Sequence, residues 1–148
     1  IALANPCGDA RKGAVVARSA RLYVDASAMV KAIVTEPESE ALVAYLAQAS
    51  SRVSSRLLVV QVARAVGRLE PGIVHQADAV LEAVDLLEMD EEIGALAARI
   101  PPRTLRTLDA VHLASAHSIR TEIDAVITYD LRLADAARAS GLKVVAPA

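Results

Sequence analysis

The feature that most constrains this chain is a regular alternation of short β-rich runs with longer helical patterns. RLYVD (21–25), RVSS (52–55), DLLEM (85–89), DAVITYD (124–130) and LKVVAP (142–147) read as strands. Between them, apolar residues recur at helical spacing over 27–34, 38–49, 57–69, 73–84, 90–100, 107–119 and 131–141. Thr35-Glu36-Pro37, Pro71-Gly72, Pro101-Pro102 and Gly141 supply the breaks. Ser27 is the expected N-cap of the first helix, and Ser54 or Ser55 that of LLVVQVARAVGRL. Acids at 90–92 suit the positive end of a helix dipole. Strands that alternate with helices predict a parallel sheet covered on both faces, hence one α/β domain.

The chain has 148 residues, 54% of them hydrophobic, enough for one core. It has three Tyr and no Phe or Trp, so the core must come from Ala, Val, Leu and Ile, and stacking of bases on an aromatic platform is disfavoured. A net charge of −2 excludes indiscriminate attraction to nucleic acid. Thirteen of the sixteen basic residues are Arg, however, which leaves room for a local phosphate-binding rim. The single cysteine, Cys7, allows neither an intrachain disulfide nor a zinc site of its own. No uncharged apolar run reaches membrane-spanning length, and residues 1–20 lack the hydrophobic centre of a signal peptide. The expected setting is therefore the cytoplasm, away from membranes. As the sequence opens on Ile1, residues 1–20 read as a flexible or vector-derived extension to a domain at 21–148.

Two carboxylates stand where open α/β sheets place their functional crevice, at the carboxyl ends of strands. Asp25 ends the first strand and Asp130 the fourth, while Asp109 interrupts an apolar helix, LDAVHLASA. Converging there, the three would suit a hard divalent cation that activates water against a phosphodiester. Equally, Asp25 and Asp130 could cap the helices that follow them, with Asp109 paired to a nearby Arg. Gly-rich phosphate loops and a Gly-x-Ser-x-Gly elbow are both absent. Gln61 is the one polar group in Leu57–Ala65 apart from Arg64, and a buried amide without partners costs about 1–3 kcal/mol.

YVDASAMVKAIVTEPESEAL, SSRLLVVQVARA, TLDAVHLASA and VITYDLRLADAARASGLKVVAP together resemble the PIN domain, and in particular the VapC-type toxin ribonucleases of bacterial toxin–antitoxin pairs. The likeness runs from Arg21 to Pro147. It implies a three-layer α/β/α fold with a five-stranded parallel sheet, and an acidic site for Mg²⁺ or Mn²⁺ that hydrolyses RNA. Asp25, Asp109 and Asp130 match the first, third and fourth acids of the family pattern, and would hold the metal. Gln61 falls where the family has a Glu. A charge about 4 Å from another is worth roughly 4 kcal/mol at an effective dielectric of about 20, so its loss should weaken the cation site and slow or silence cleavage. Implied partners are RNA, a cognate antitoxin whose basic side chain enters the acidic groove, and a second copy of the chain; direct DNA binding is not expected. A catalytically silent module that grips RNA or antitoxin is the alternative. A phosphate-accepting signalling domain fits less well: the first strand ends in one acid rather than a pair, and Lys143 begins the last strand, whereas that chemistry needs a Lys after it.

Around these positions, Ser27 could also orient Asp25. Thr107 and Thr128 could hold a water or a phosphate oxygen, or serve only as turn residues. His112 lies one turn after Asp109, as a general base or a packing residue. Arg64 and Arg106 could touch phosphate or make ordinary ion pairs. Glu36, Glu38 and Glu40 read as a solvated helix start, and His75 and His117 carry no signal. The apolar faces of 38–49 and 73–84 exceed the needs of one small core, as in a homodimer.

Overall fold

The computed structural model describes residues 20–148, so the extension expected over 1–20 lies, except for Ala20, outside the described residues. Five strands form one sheet: β1 Arg21–Val24, β2 Ser51–Ser55, β3 Asp85–Leu87, β4 Ala125–Ile127 and β5 Val144–Val145. They lie in the order β3-β2-β1-β4-β5, and every pairing is parallel. Seven helices connect them: α1 Ala26–Ile33, α2 Ser39–Ala47, α3 Leu57–Leu69, α4 Val74–Glu82, α5 Glu91–Ala97, α6 Thr107–Ser118 and α7 Leu131–Ala139. The three-layer α/β/α class expected from the alternation is the class observed.

Strand periodicity assigns each face its own core. Leu22 and Val24 of β1, with Ala125 and Ile127 of β4, pack with Met29, Leu42, Leu58 and Val62 on the side covered by α1 to α4. Tyr23 and Val126, one residue out of phase, pack with Leu113, Leu133 and Ala137 on the side covered by α6 and α7. With no Phe or Trp, aliphatic side chains fill both clusters.

The order of the strands positions the site. From β1 the chain builds outward through β2 and β3, then crosses back to lay β4 on the other side of β1. A crevice opens at such a switch point, between the carboxyl ends of β1 and β4. Val24 pairs with Ile127, and the Asp25 N–H continues the ladder to the Ile127 carbonyl at 3.2 Å. The strand expected over 124–130 stops at Ile127 because the next three residues turn to bond side chains around Asp25. The last strand is short because only Val144 and Val145 pair with β4.

α7 ends at Gly141, whose φ of +86° lies in the left-handed region. Nothing within 4 Å opposes an added methyl group there, so Gly141→Ala tests backbone conformation alone. The expected loss is about 1–2 kcal/mol in chemical denaturation, with an unchanged m-value.

Candidate active site

Asp25 follows the central strand and is only 3% exposed. Its Oδ1 accepts the Ala28 N–H at 2.9 Å, so Asp25 rather than Ser27 is the N-cap of α1. The helix begins earlier than expected because β1 ends at Val24 and aspartate caps as well as serine. Ser27, inside the first turn, takes the orienting role: its hydroxyl donates to Asp25 Oδ1 at 2.7 Å and accepts the Tyr129 N–H at 2.9 Å. Thr128 donates to Asp25 Oδ2 at 2.7 Å and accepts the Asp130 N–H at 3.1 Å. Burial pushes the Asp25 carboxyl up from 3.8 to about 6; the bonds from Ala28, Thr128 and Ser27 pull it down, and the Asp130 charge adds to the rise.

Asp130 caps α7, its Oδ1 accepting the Leu133 N–H at 2.9 Å, and turns Oδ2 to Arg106 Nη2 at 3.1 Å. Asp109, in the first turn of α6, accepts from Arg106 Nε at 3.1 Å, also through Oδ2. The two capping roles and the Arg pairing considered for these acids are thus all present. They do not separate the acids: an unbroken chain of hydrogen bonds runs Ser27, Asp25, Thr128, Asp130, Arg106, Asp109. Among the described residues, no three His, Cys, Asp or Glu side chains are grouped tightly enough to form a metal cage as they stand. The donors are nonetheless all carboxylate oxygens, and a cationic guanidinium spans two of them, which is donor chemistry that fits a hard divalent cation.

Gln61 is half-buried on α3 and is partnered. Its Oε1 lies 2.6 Å from His112 Nε2, while His112 Nδ1 lies 2.8 Å from the Tyr23 hydroxyl. Tyr23 in turn accepts the Ser55 N–H at 3.1 Å. With the amide oxygen on the ring, the donor inventory assigns the proton to Nε2, and Tyr23 donates to a bare Nδ1. The rings of Tyr23 and His112 meet edge to face with centroids 5.9 Å apart. Burial lowers the His112 pKa to about 4 and raises that of Tyr23, so both are neutral at pH 7. His112 is thereby a buried, hydrogen-bonded residue that holds Gln61. Gln61 and Ser27 line one cavity of about 560 Å³, together with Arg64, Arg68, Leu108 and Tyr129.

Thr107 is exposed at the start of α6 and makes no hydrogen bond to the acids. Neither Ser54 nor Ser55 is the N-cap of α3, which is Arg56 with no side-chain cap bond; Ser55 accepts the Leu57 N–H at 3.3 Å, and Ser54 donates to the Val24 carbonyl. Glu36 and Glu38 are not merely solvated, since both bind Lys31, whose ammonium lies 4.9 Å from the Tyr129 ring centroid. His75 is exposed on α4, away from these contacts. Tyr23 went unremarked in the sequence. The available signal was a phenol in a β-run otherwise destined for the core, because a buried hydroxyl needs a partner.

Comparison with known proteins identifies the class. The PIN domain family model matches residues 22–139. The chain belongs to the PIN-domain family. Its similarity to particular members is to VapC ribonucleases of Mycobacterium tuberculosis. It is 41% identical over 128 residues to ribonuclease VapC46 of strain ATCC 25618 / H37Rv, covering 86% of this chain and 98% of the relative. Ribonuclease VapC47 of strain CDC 1551 / Oshkosh is 37% identical over 131 residues, covering 85% and 96%. Among solved structures, M. tuberculosis VapC20, a Sarcin-Ricin loop cleaving toxin, superposes with a TM-score of 0.68 at 16% identity, covering 85% of this chain and 99% of that one. A toxin–antitoxin complex from Klebsiella pneumoniae gives a TM-score of 0.66 at 17% identity, covering 86% and 98%. At those identities the structures speak for the fold.

Two outcomes follow from the buried groups. Because Asp25 holds its proton more tightly folded than unfolded, the associated stabilisation is complete below pH 3.8 and is lost as the pH rises through about 6. In chelator, Asp25→Asn should therefore leave stability nearly unchanged at pH 4 and add about 2–3 kcal/mol at pH 7, read from urea midpoints at the two pH values. For His112, nitrogen NMR should report the Nε2–H tautomer, and Tyr23→Phe should shift the ring toward a mixture of tautomers.

Proposed function

We propose that the chain is a metal-dependent endoribonuclease, the toxin of a type II toxin–antitoxin pair, acting in the cytoplasm. The observation that carries this reading is the hydrogen-bonded linkage of Asp25, Asp130 and Asp109 at the sheet's switch point, at the positions where the family resemblance puts its acids. The VapC ribonuclease relatives support it over nearly their whole length. Among the described residues no helix is long and apolar enough to cross a membrane.

Asp25, Asp109 and Asp130 would hold Mg²⁺ or Mn²⁺. When bound, the cation would supply charge that polarises a phosphodiester and lowers the pKa of water. The chain's own groups do the rest. Ser27 and Thr128 keep the Asp25 carboxylate from rotating, and the cap of α7 uses Oδ1 of Asp130 so that its Oδ2 turns to Arg106. Gln61 occupies the second position of the family pattern without a charge, held by His112. We read it as a conservative replacement in shape that weakens cation binding and slows cleavage.

An antitoxin with a basic side chain directed at the acids is the expected inhibitor. Exposed Val43 on α2 and Val80 on α4 border a cavity of about 290 Å³ that would serve a partner, and the same helices carry the expected homodimer. The second reading, a silent module that binds RNA or antitoxin without cutting, draws on Gln61 itself.

Cleavage of total RNA with Mg²⁺ or Mn²⁺ separates the two. Gln61→Glu is expected to cut at least tenfold faster than the chain as it stands, and Asp25→Asn in the Glu background to abolish cutting. Equal rates that vanish with Asp25→Asn would put Gln61 outside the essential set. Silence of every form under both metals would favour the binding module.

A further inference from the structure

We propose that Arg106 occupies the cation position between Asp109 and Asp130 in the metal-free protein, and moves to an RNA phosphate when the cation displaces it. The inference rests on the metal-dependent reading above and adds a residue to it.

The argument begins with which atoms are spoken for. Arg106 donates from Nε to Asp109 Oδ2 and from Nη2 to Asp130 Oδ2, each at 3.1 Å. Asp130 has its other oxygen committed to the Leu133 N–H at 2.9 Å, as the cap of α7. Each carboxylate oxygen keeps a second lone pair, so Oδ1 is not closed to a cation, but the oxygen of Asp130 free of the helix cap is the one that Arg106 holds. Guanidinium and cation compete for one place.

The grip of Arg106 is also easily released. Its side chain is 64% exposed, and its backbone at φ −65° and ψ 153° is the non-helical N-cap before α6 begins at Thr107. Among the described residues its side chain makes no bond beyond these two. Exposed ion pairs of this kind are weak because water screens them, so three carboxylates facing a divalent ion should win the exchange.

Displacement changes what the site offers to a polyanion. With Asp25 ionised, three carboxylates and one guanidinium leave the centre with two negative charges, which repel phosphate. A divalent cation cancels that excess and releases a planar fork suited to a phosphodiester's two oxygens. Cation binding and RNA binding thus become coupled through one side chain.

The test compares the full chain with Arg106→Gln and Arg106→Lys in two binding assays that need no turnover. Mn²⁺ binding is read by the loss of free-ion paramagnetic signal. A fluorescein-labelled single-stranded RNA of mixed sequence is followed by anisotropy with Ca²⁺ present. Arg106→Gln should bind Mn²⁺ about three- to tenfold more tightly and the RNA at least threefold more weakly; Arg106→Lys, which keeps the charge but not the fork, should fall between. Opposite signs in the two assays are what the exchange requires. Mn²⁺ affinity equal to or below that of the parent would make Arg106 a plain clamp and overturn the exchange while leaving the metal reading intact. Unchanged RNA affinity would overturn the phosphate role. If no form binds Mn²⁺, including one that also carries Gln61→Glu, both the exchange and the reading beneath it fall.

Discussion

A single buried carboxylate organises this molecule. Asp25 sits at the end of the central strand, almost wholly removed from water, where an unpartnered charge would cost several kcal/mol. Its neighbours are arranged to reduce that cost. The Ala28 N–H comes from a helix that starts at once, and the Thr128 hydroxyl comes from the loop after the adjacent strand. The Ser27 hydroxyl is itself aimed by the Tyr129 N–H. The pairing of β1 with β4 is what brings these donors within reach of one another. A carboxylate held this way is still short of positive charge, as its raised pKa records. That deficit is the physical ground for the cation proposed at this place.

The same geometry reconciles two roles that the sequence left as alternatives. A helix cap needs one carboxylate oxygen, and Asp25 and Asp130 each give Oδ1 to a backbone N–H. The second oxygen of Asp25 accepts the Thr128 hydroxyl, and that of Asp130 accepts from Arg106. Helix N-termini favour negative charge, so α1, α6 and α7 all help to seat acids close together. Folding and chemistry draw on the same three residues without conflict.

What could be read from the sequence was what local pattern encodes. Strand ends located Asp25 and Asp130, and helical spacing located Asp109 and its near neighbour Arg106. Element types were legible throughout, and the ends less so. Ile127 ends its strand early because Thr128 and Tyr129 are recruited by Asp25 and Ser27, about a hundred positions away, which no local window contains. Ser27 was placed one role off because serine and aspartate cap a helix by the same bond. The link from Tyr23 to His112 spans 89 residues, and that from His112 to Gln61 spans 51. Each depends on how α3 and α6 lean against the sheet. The Arg106 contact with Asp130 likewise needs α6 and α7 to be side by side.

The strand order has a consequence for the chain during its own synthesis. Asp25 emerges from the ribosome well before its hydroxyl partner Thr128, which lies 103 residues downstream. β4 must slot in beside a strand made long before it, and only then can hydrogen bonds link Asp25 through Thr128, Asp130 and Arg106 to Asp109. A nascent or prematurely ended chain therefore carries single acids and no centre. Synthesis must pass Asp130 before the three acids can be linked at all.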